Sequence, residues 1–221
     1  MNSAIGDTVG YPSLPIKPGI IREVLYLLIR GGAGLQSYNI ITPDMEEDNI
    51  TNRLDQEMKA IHRGTTSDIV NWALRADISA SNKGTLRYGK ADITFYWSQI
   101  PREPDLYLAV EAKRLRGKHS SLAGKYVDEG VLRFVNGKYG WRHDHGIMLG
   151  YVVVAPLASA VSKVQTAMHL RRSKTRESSS FVPNCSLCSH PYTHHSGHLQ
   201  QNTANSITLV HLFLDFTLRW S

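Results

Sequence analysis

Two short runs constrain this chain more than any other feature: residues 91–97 (ADITFYW) and 106–115 (LYLAVEAKRL). Both are rich in β-branched and aromatic residues, and the pair with its intervening segment predicts an antiparallel hairpin. A symmetric turn over 98–105 (SQIPREPD) sets the register. Trp97 then faces Leu106, Phe95 faces Leu108, Ile93 faces Val110 and Asp92 faces Glu111. Side chains alternate along a strand and opposed residues share a face. One face therefore collects Ile93, Phe95, Trp97, Leu106, Leu108, Val110 and Ala112, all apolar. The other collects Asp92, Thr94, Tyr96, Tyr107, Ala109, Glu111 and Lys113, with its three charges at one end. Opposed carboxylates repel unless a cation lies between them.

Around this hairpin the periodicities alternate between helix and strand. Residues 1–18 are rich in Pro, Gly and Ser and read as extended. Residues 19–32 place Ile21, Leu25, Leu28 and Ile29 on one helical stripe, with Gly31 and Gly32 as the expected stop. A second helix is expected from Thr42, a candidate N-cap followed by Pro43. Ile50, Leu54, Met58 and Ile61 line one side of it, and Glu47 projects nearest the centre of that stripe. Residues 72–81 predict a strand, 82–89 a turn, and 121–140 a helix interrupted or ended by glycines. The continuous apolar run 146–155 (GIMLGYVVVA) predicts a buried strand. Residues 159–180 read as a basic helix fading into a polar loop, 185–198 as a Cys/His-rich loop, and 207–218 as a final strand. The order helix, three strands, helix, strand predicts a mixed β-sheet flanked by helices, in the α/β or α+β class. A single domain is expected over 1–221. Its core spans about 43–155, with a helix at 19–32 in front and a basic, Cys/His-rich extension over 156–221.

The charged end of the hairpin suggests a chemistry. Mg²⁺ takes oxygen ligands, often one or two carboxylates completed by water and substrate phosphate. An acid on one strand and acid-x-Lys on its neighbour suit metal-assisted phosphodiester hydrolysis, with the lysine supporting the developing charge. KADITFYW and LYLAVEAKRL resemble the PD-(D/E)xK, or restriction-endonuclease-like, nuclease superfamily, whose core runs αβββαβ. The resemblance implies that Asp92 is the first metal-binding acid, that Glu111 and Lys113 form the E-x-K element, and that Glu47 is the acid of the preceding helix. It implies Mg²⁺ or Mn²⁺ as cofactor and DNA as the favoured polymer. It also implies a prokaryotic anti-phage setting, with a homodimer or a partner subunit of a defence complex. Ala91 stands where the family name has Pro. Lys83, Arg87, Lys90, Arg114, Arg116, Lys118 and Lys125 are candidate phosphate contacts. Lys125, Tyr126 and Glu129 are candidate polar contributions from the following helix.

Composition sets the outer limits. The net charge of +6 is compatible with a polyanionic partner. No apolar run approaches bilayer length, no secretory pattern opens the chain, and the two cysteines fit a reducing cytoplasm. Cys185 and Cys188 make half of a zinc site, and His190, His194, His195 and His198 offer the rest; Cys185, Cys188, His194 and His198 are the candidate ligands of a structural Zn²⁺. Simpler readings accompany each feature. The strand charges can form a salt-bridge cluster, Glu47 can be a first-turn acid favoured by the helix dipole, and His211 a satisfied core histidine. Arg171, Arg172, Lys174 and Arg176 read first as a solvated face. No Gly-x-Ser-x-Gly elbow or Gly-rich phosphate loop is present. The rivals to a nuclease are a non-cleaving nucleic-acid-binding module and a zinc-loop interaction subunit.

Overall fold

A computed structural model describes residues 13–64, 71–75, 77–82, 85–97, 107–140, 142–183, 186–201 and 205–217, with backbone only over 77–82 and 85–89. The chain runs α1 (Pro18–Tyr38), α2 (Glu47–Arg63), β1 (Asn71–Leu74), β2 (Asp77–Asn82), β3 (Thr85–Lys90), β4 (Ile93–Tyr96) and β5 (Leu108–Arg116). It continues through α3 (Ser120–Lys125), a π-helical turn (Tyr126–Val131), α4 (Leu132–Val135), β6 (His145–Val154), α5 (Leu157–Leu170), β7 (Glu177–Pro183), β8 (Thr193–Leu199) and β9 (Ser206–Asp215).

Seven strands form one mixed sheet in the order β1-β4-β5-β6-β9-β8-β7, and β2 pairs with β3 as a separate ribbon. β5, β6 and β9 are parallel, while the flanking pairs on both sides are antiparallel. The apolar run of β6 explains the layering. Ile147, Leu149, Tyr151 and Val153 enter one core with α1 and α2, and Met148 and Val152 enter a second with α3, α4 and α5. A strand buried on both sides needs cover on both sides. The hairpin register follows the pleat: Ile93 pairs with Val110 and Phe95 with Leu108. The expected turn, with Leu106, lies outside the described residues. The second hairpin face is also packed, since Tyr107 and Ala109 join the second core.

Several local expectations are corrected. α1 runs through Gly31 and Gly32 to Tyr38. A Cβ on Gly31 would stand 2.9 Å from Leu54 Cδ1, and one on Gly32 2.8 Å from Leu214 Cδ1, so these glycines permit close packing rather than a stop. Thr42 does not cap α2, which begins at Glu47. Residues 43–45 form a loop held by Arg114 and Arg116, as described below. The strand expected over 72–81 is split where Arg75 adopts a left-handed φ of 48°. The turn expected over 82–89 contains most of β3. The polar loop contains β7, and the Cys/His loop contains β8. Residues 156–221 therefore supply β7, β8 and β9 of the main sheet, and β9 lies directly beside β6.

Candidate active site

The site arises where one strand outruns its neighbour. β4 stops pairing at Ile93↔Val110, while β5 continues to Arg116 and stays paired with β6 on its other side. The N–H groups of Ala112 and Arg114 face the edge that β4 has left. Backbone donors at a buried edge require acceptors, and two carboxylates provide them. Ala112 N donates to Asp92 Oδ2 at 2.7 Å, and Arg114 N donates to Glu47 Oε2 at 2.7 Å.

Glu111 and Lys113 project from β5 between these two acids. Lys113 Nζ donates to Glu111 Oε1 at 2.7 Å, to Glu47 Oε1 at 3.0 Å and to the Ala112 carbonyl at 2.7 Å. Glu111 is fully buried. Its Oε1 also accepts from Arg133 Nη1 at 2.8 Å, while its buried Oε2 has no hydrogen-bond partner. The side chains of Glu47 and Arg133 are 29% and 32% exposed.

Burial, and then the charge of Asp92, push the Glu111 carboxyl up to about 7 despite Lys113 and Arg133. Burial also raises Asp92, offset in part by Lys113 and the Ala112 N–H. Burial pulls the Lys113 ammonium down, but Glu111 and Glu47 outweigh it and leave the group raised. Lys113 is thus a firmly held cation.

The structure brings Asp92, Glu111, Lys113 and Glu47 together and distributes the other candidates elsewhere. Arg114 Nη1 donates to the Met45 carbonyl at 2.9 Å. Arg116 Nη2 donates to the Pro43 carbonyl at 2.7 Å and to Asp44 Oδ1 at 3.0 Å. Both arginines are thus engaged with the loop before α2. Lys90, Lys118, Lys125 and Glu129 are exposed. Lys83 and the Arg87 side chain lie outside the described residues.

Tyr126 is buried in a different network. Its hydroxyl lies 2.9 Å from His211 Nδ1, His211 Nε2 lies 2.8 Å from Ser196 Oγ, and Ser196 Oγ lies 2.7 Å from His198 Nε2. His198 Nδ1 ends the chain 2.8 Å from the Thr175 carbonyl. A carbonyl only accepts, so His198 carries its proton on Nδ1. Ser196 then donates to His198, His211 to Ser196 and Tyr126 to His211. Burial lowers His198 to about 4 and holds His211 well below its usual range, so both rings are neutral.

Both nitrogens of His198 are therefore engaged within the fold. Among the other zinc candidates, the His194 ring stacks on Phe181 with centroids 4.7 Å apart, and Cys188 Sγ lies 3.3 Å from Thr193 Oγ1. Cys185 lies outside the described residues. Among the described residues no three His, Cys, Asp or Glu side chains are gathered to hold a metal ion. At the β5 edge, however, the donor set is two neighbouring carboxylates, one with an unengaged buried oxygen. That set suits a hard cation completed by water.

Sequence reasoning missed Arg133 and Tyr139. Arg133 follows the exposed Glu129 by four residues, which in a uniform helix places both on one solvated face. The π-helical turn Tyr126–Val131 breaks that phase. No protein-family model matches the chain, and no curated protein or solved structure shows significant similarity to it. Among the described residues no helix is long and apolar enough to cross a membrane.

Proposed function

We propose that this chain is a metal-dependent nuclease of restriction-endonuclease-like fold that hydrolyses phosphodiester bonds, with DNA as the polymer and prokaryotic defence as the setting. One observation carries the reading: Asp92 and Glu111 meet at the edge of β5 that β4 leaves, with Lys113 bonded to Glu111 and to Glu47, and Glu111 Oε2 is buried with no partner. The order α2, β1, β4, β5, α3–α4, β6, with antiparallel, antiparallel and then parallel pairing, is consistent with the αβββαβ core of that family.

Asp92 and Glu111 would hold Mg²⁺ or Mn²⁺, which when bound polarises the phosphate and acidifies its water. Lys113, kept cationic by Glu111 and Glu47, acts as a fixed positive donor to the phosphate oxygens and not as a base. Glu47 ties α2 to β5 through Arg114 N and restrains Lys113.

The test is cleavage of plasmid and single-stranded DNA with Mg²⁺, Mn²⁺ or EDTA. Metal-dependent cleavage is expected, reduced at least a hundredfold in Asp92→Ala and Lys113→Ala, about the loss seen when one charge-stabilising donor is removed. Cleavage unchanged in both variants overturns the site. No cleavage with either metal, with or without a partner, favours a non-cleaving binding module instead.

A further inference from the structure

We infer that Arg133, anchored by Tyr139, is a positioning residue that orients Glu111 and fixes its spacing from the Asp92 segment. The inference rests on the metal-site reading above.

The two hydrogens of Arg133 Nη1 have different acceptors. One goes to Glu111 Oε1 and the other to Tyr139 Oη, each at 2.8 Å. The Tyr139 hydroxyl donates in turn to the Lys90 carbonyl at 2.5 Å. Lys90 ends β3, two residues before Asp92. A continuous chain of hydrogen bonds thus joins the Glu111 carboxylate on β5 to the backbone that delivers Asp92. Asp92 is itself tied to β5 through Ala112 N.

The chemistry at Glu111 is asymmetric. Oε1 carries two cationic donors, Lys113 and Arg133, while Oε2 carries none. Two donors on one oxygen from different directions fix the rotation of the carboxyl plane. The second oxygen is then presented in one direction only. Neutral neighbours lock the clamp: Tyr139 is fully buried and packs edge-on against Phe134 with centroids 5.6 Å apart. The Arg133 side chain also sits over the Tyr139 ring, 5.8 Å from its centroid. The helix bearing Arg133 lies close on the sheet because Gly130 has no side chain; a Cβ there would stand 2.4 Å from Met148 Cε and 3.6 Å from Lys113 Cγ.

Ligand-orienting partners outside the ligand set typically change metal affinity by about 10–100-fold when removed. The experiment is Mn²⁺ titration of the full chain by calorimetry at pH 8.5, without nucleic acid. Tyr139→Phe leaves the net charge and the ring packing in place and removes the two hydrogen bonds of the hydroxyl, the one accepted from Arg133 Nη1 and the one donated to the Lys90 carbonyl. It is expected to weaken Mn²⁺ binding about tenfold. Arg133→Met is expected to weaken binding as well, although removing a nearby cation favours Mn²⁺ by Coulomb's law. Arg133→Lys, which retains a donor to Glu111, recovers part of the loss. Binding in Tyr139→Phe and Arg133→Met as tight as in the unaltered chain, or tighter, overturns the positioning role. If the unaltered chain binds no Mn²⁺, or binds it equally in Asp92→Ala, the metal-site reading itself fails and the inference falls with it. Should Arg133→Met not fold, Tyr139→Phe decides alone.

Discussion

Glu111→Gln will make the protein more stable at pH 8 in EDTA while abolishing the proposed nuclease activity. Glu111 is fully buried, and burial with the nearby Asp92 charge raises its carboxyl from 4.5 to about 7. Between those values the folded chain holds a proton that the unfolded chain has released. Stability therefore falls as pH rises through that window and stays low above it. At 1.36 kcal/mol per pH unit, ionising Glu111 costs about 3 kcal/mol at pH 8. Gln imitates the protonated acid and keeps an acceptor for Lys113 and Arg133. The variant will gain about 3 kcal/mol at pH 8, roughly 6–12 °C in Tm for a chain of this size, and almost nothing at pH 4. Urea unfolding at both pH values measures this. A variant less stable than the parent at pH 8 refutes the reasoning, because the ion pairs to Lys113 and Arg133 would then outweigh burial.

Two further predictions concern the scaffold. His198 is buried neutral at about 4 against an ordinary 6.5, so below pH 6.5 the unfolded chain takes up a proton that the folded chain refuses. Stability attributable to His198 falls by about 1.4 kcal/mol per pH unit between those values; comparing Tm against pH for His198→Gln and its parent isolates that slope, and equal slopes count against it. Gly117→Ala will cost about 1–3 kcal/mol in urea unfolding. A Cβ there would stand 2.7 Å from Pro156 N and 2.8 Å from the Ala155 carbonyl, backbone that cannot retreat, and an unchanged midpoint contradicts this.

The hairpin was legible because pleat parity alone determines which residues oppose one another, and Ile93↔Val110 follows from counting. Glu47 was legible as the acid on an inward stripe. What was not legible depends on partners distant in sequence. The start of α2 is set by Arg114 and Arg116 gripping residues 43–45 from β5. The continuation of α1 through two glycines is set by Leu54 and Leu214. β7 and β8 are rich in Ser, His and Gly, which are poor strand signals. They become strands because β9 supplies a ladder and Phe181 stacks on His194. Arg133 was hidden by a helical phase that the π-helical turn alters.

The place of β9 beside β6 has a consequence for synthesis on the ribosome. The strands that carry the acids, β4 and β5, together with β6, are complete by residue 154, yet the far edge of β6 waits for residues 206–215. At about 5–20 residues per second that edge stays open for several seconds. It is an apolar strand, buried on both faces in the finished fold, with a free row of backbone donors and acceptors. The nascent chain thus passes through a stage in which the strands bearing the candidate site are made and the apolar edge of β6 is bare. Substitutions that slow the docking of β9 will then show first as lost soluble yield, before any loss appears in the proposed activity of the molecules that do fold.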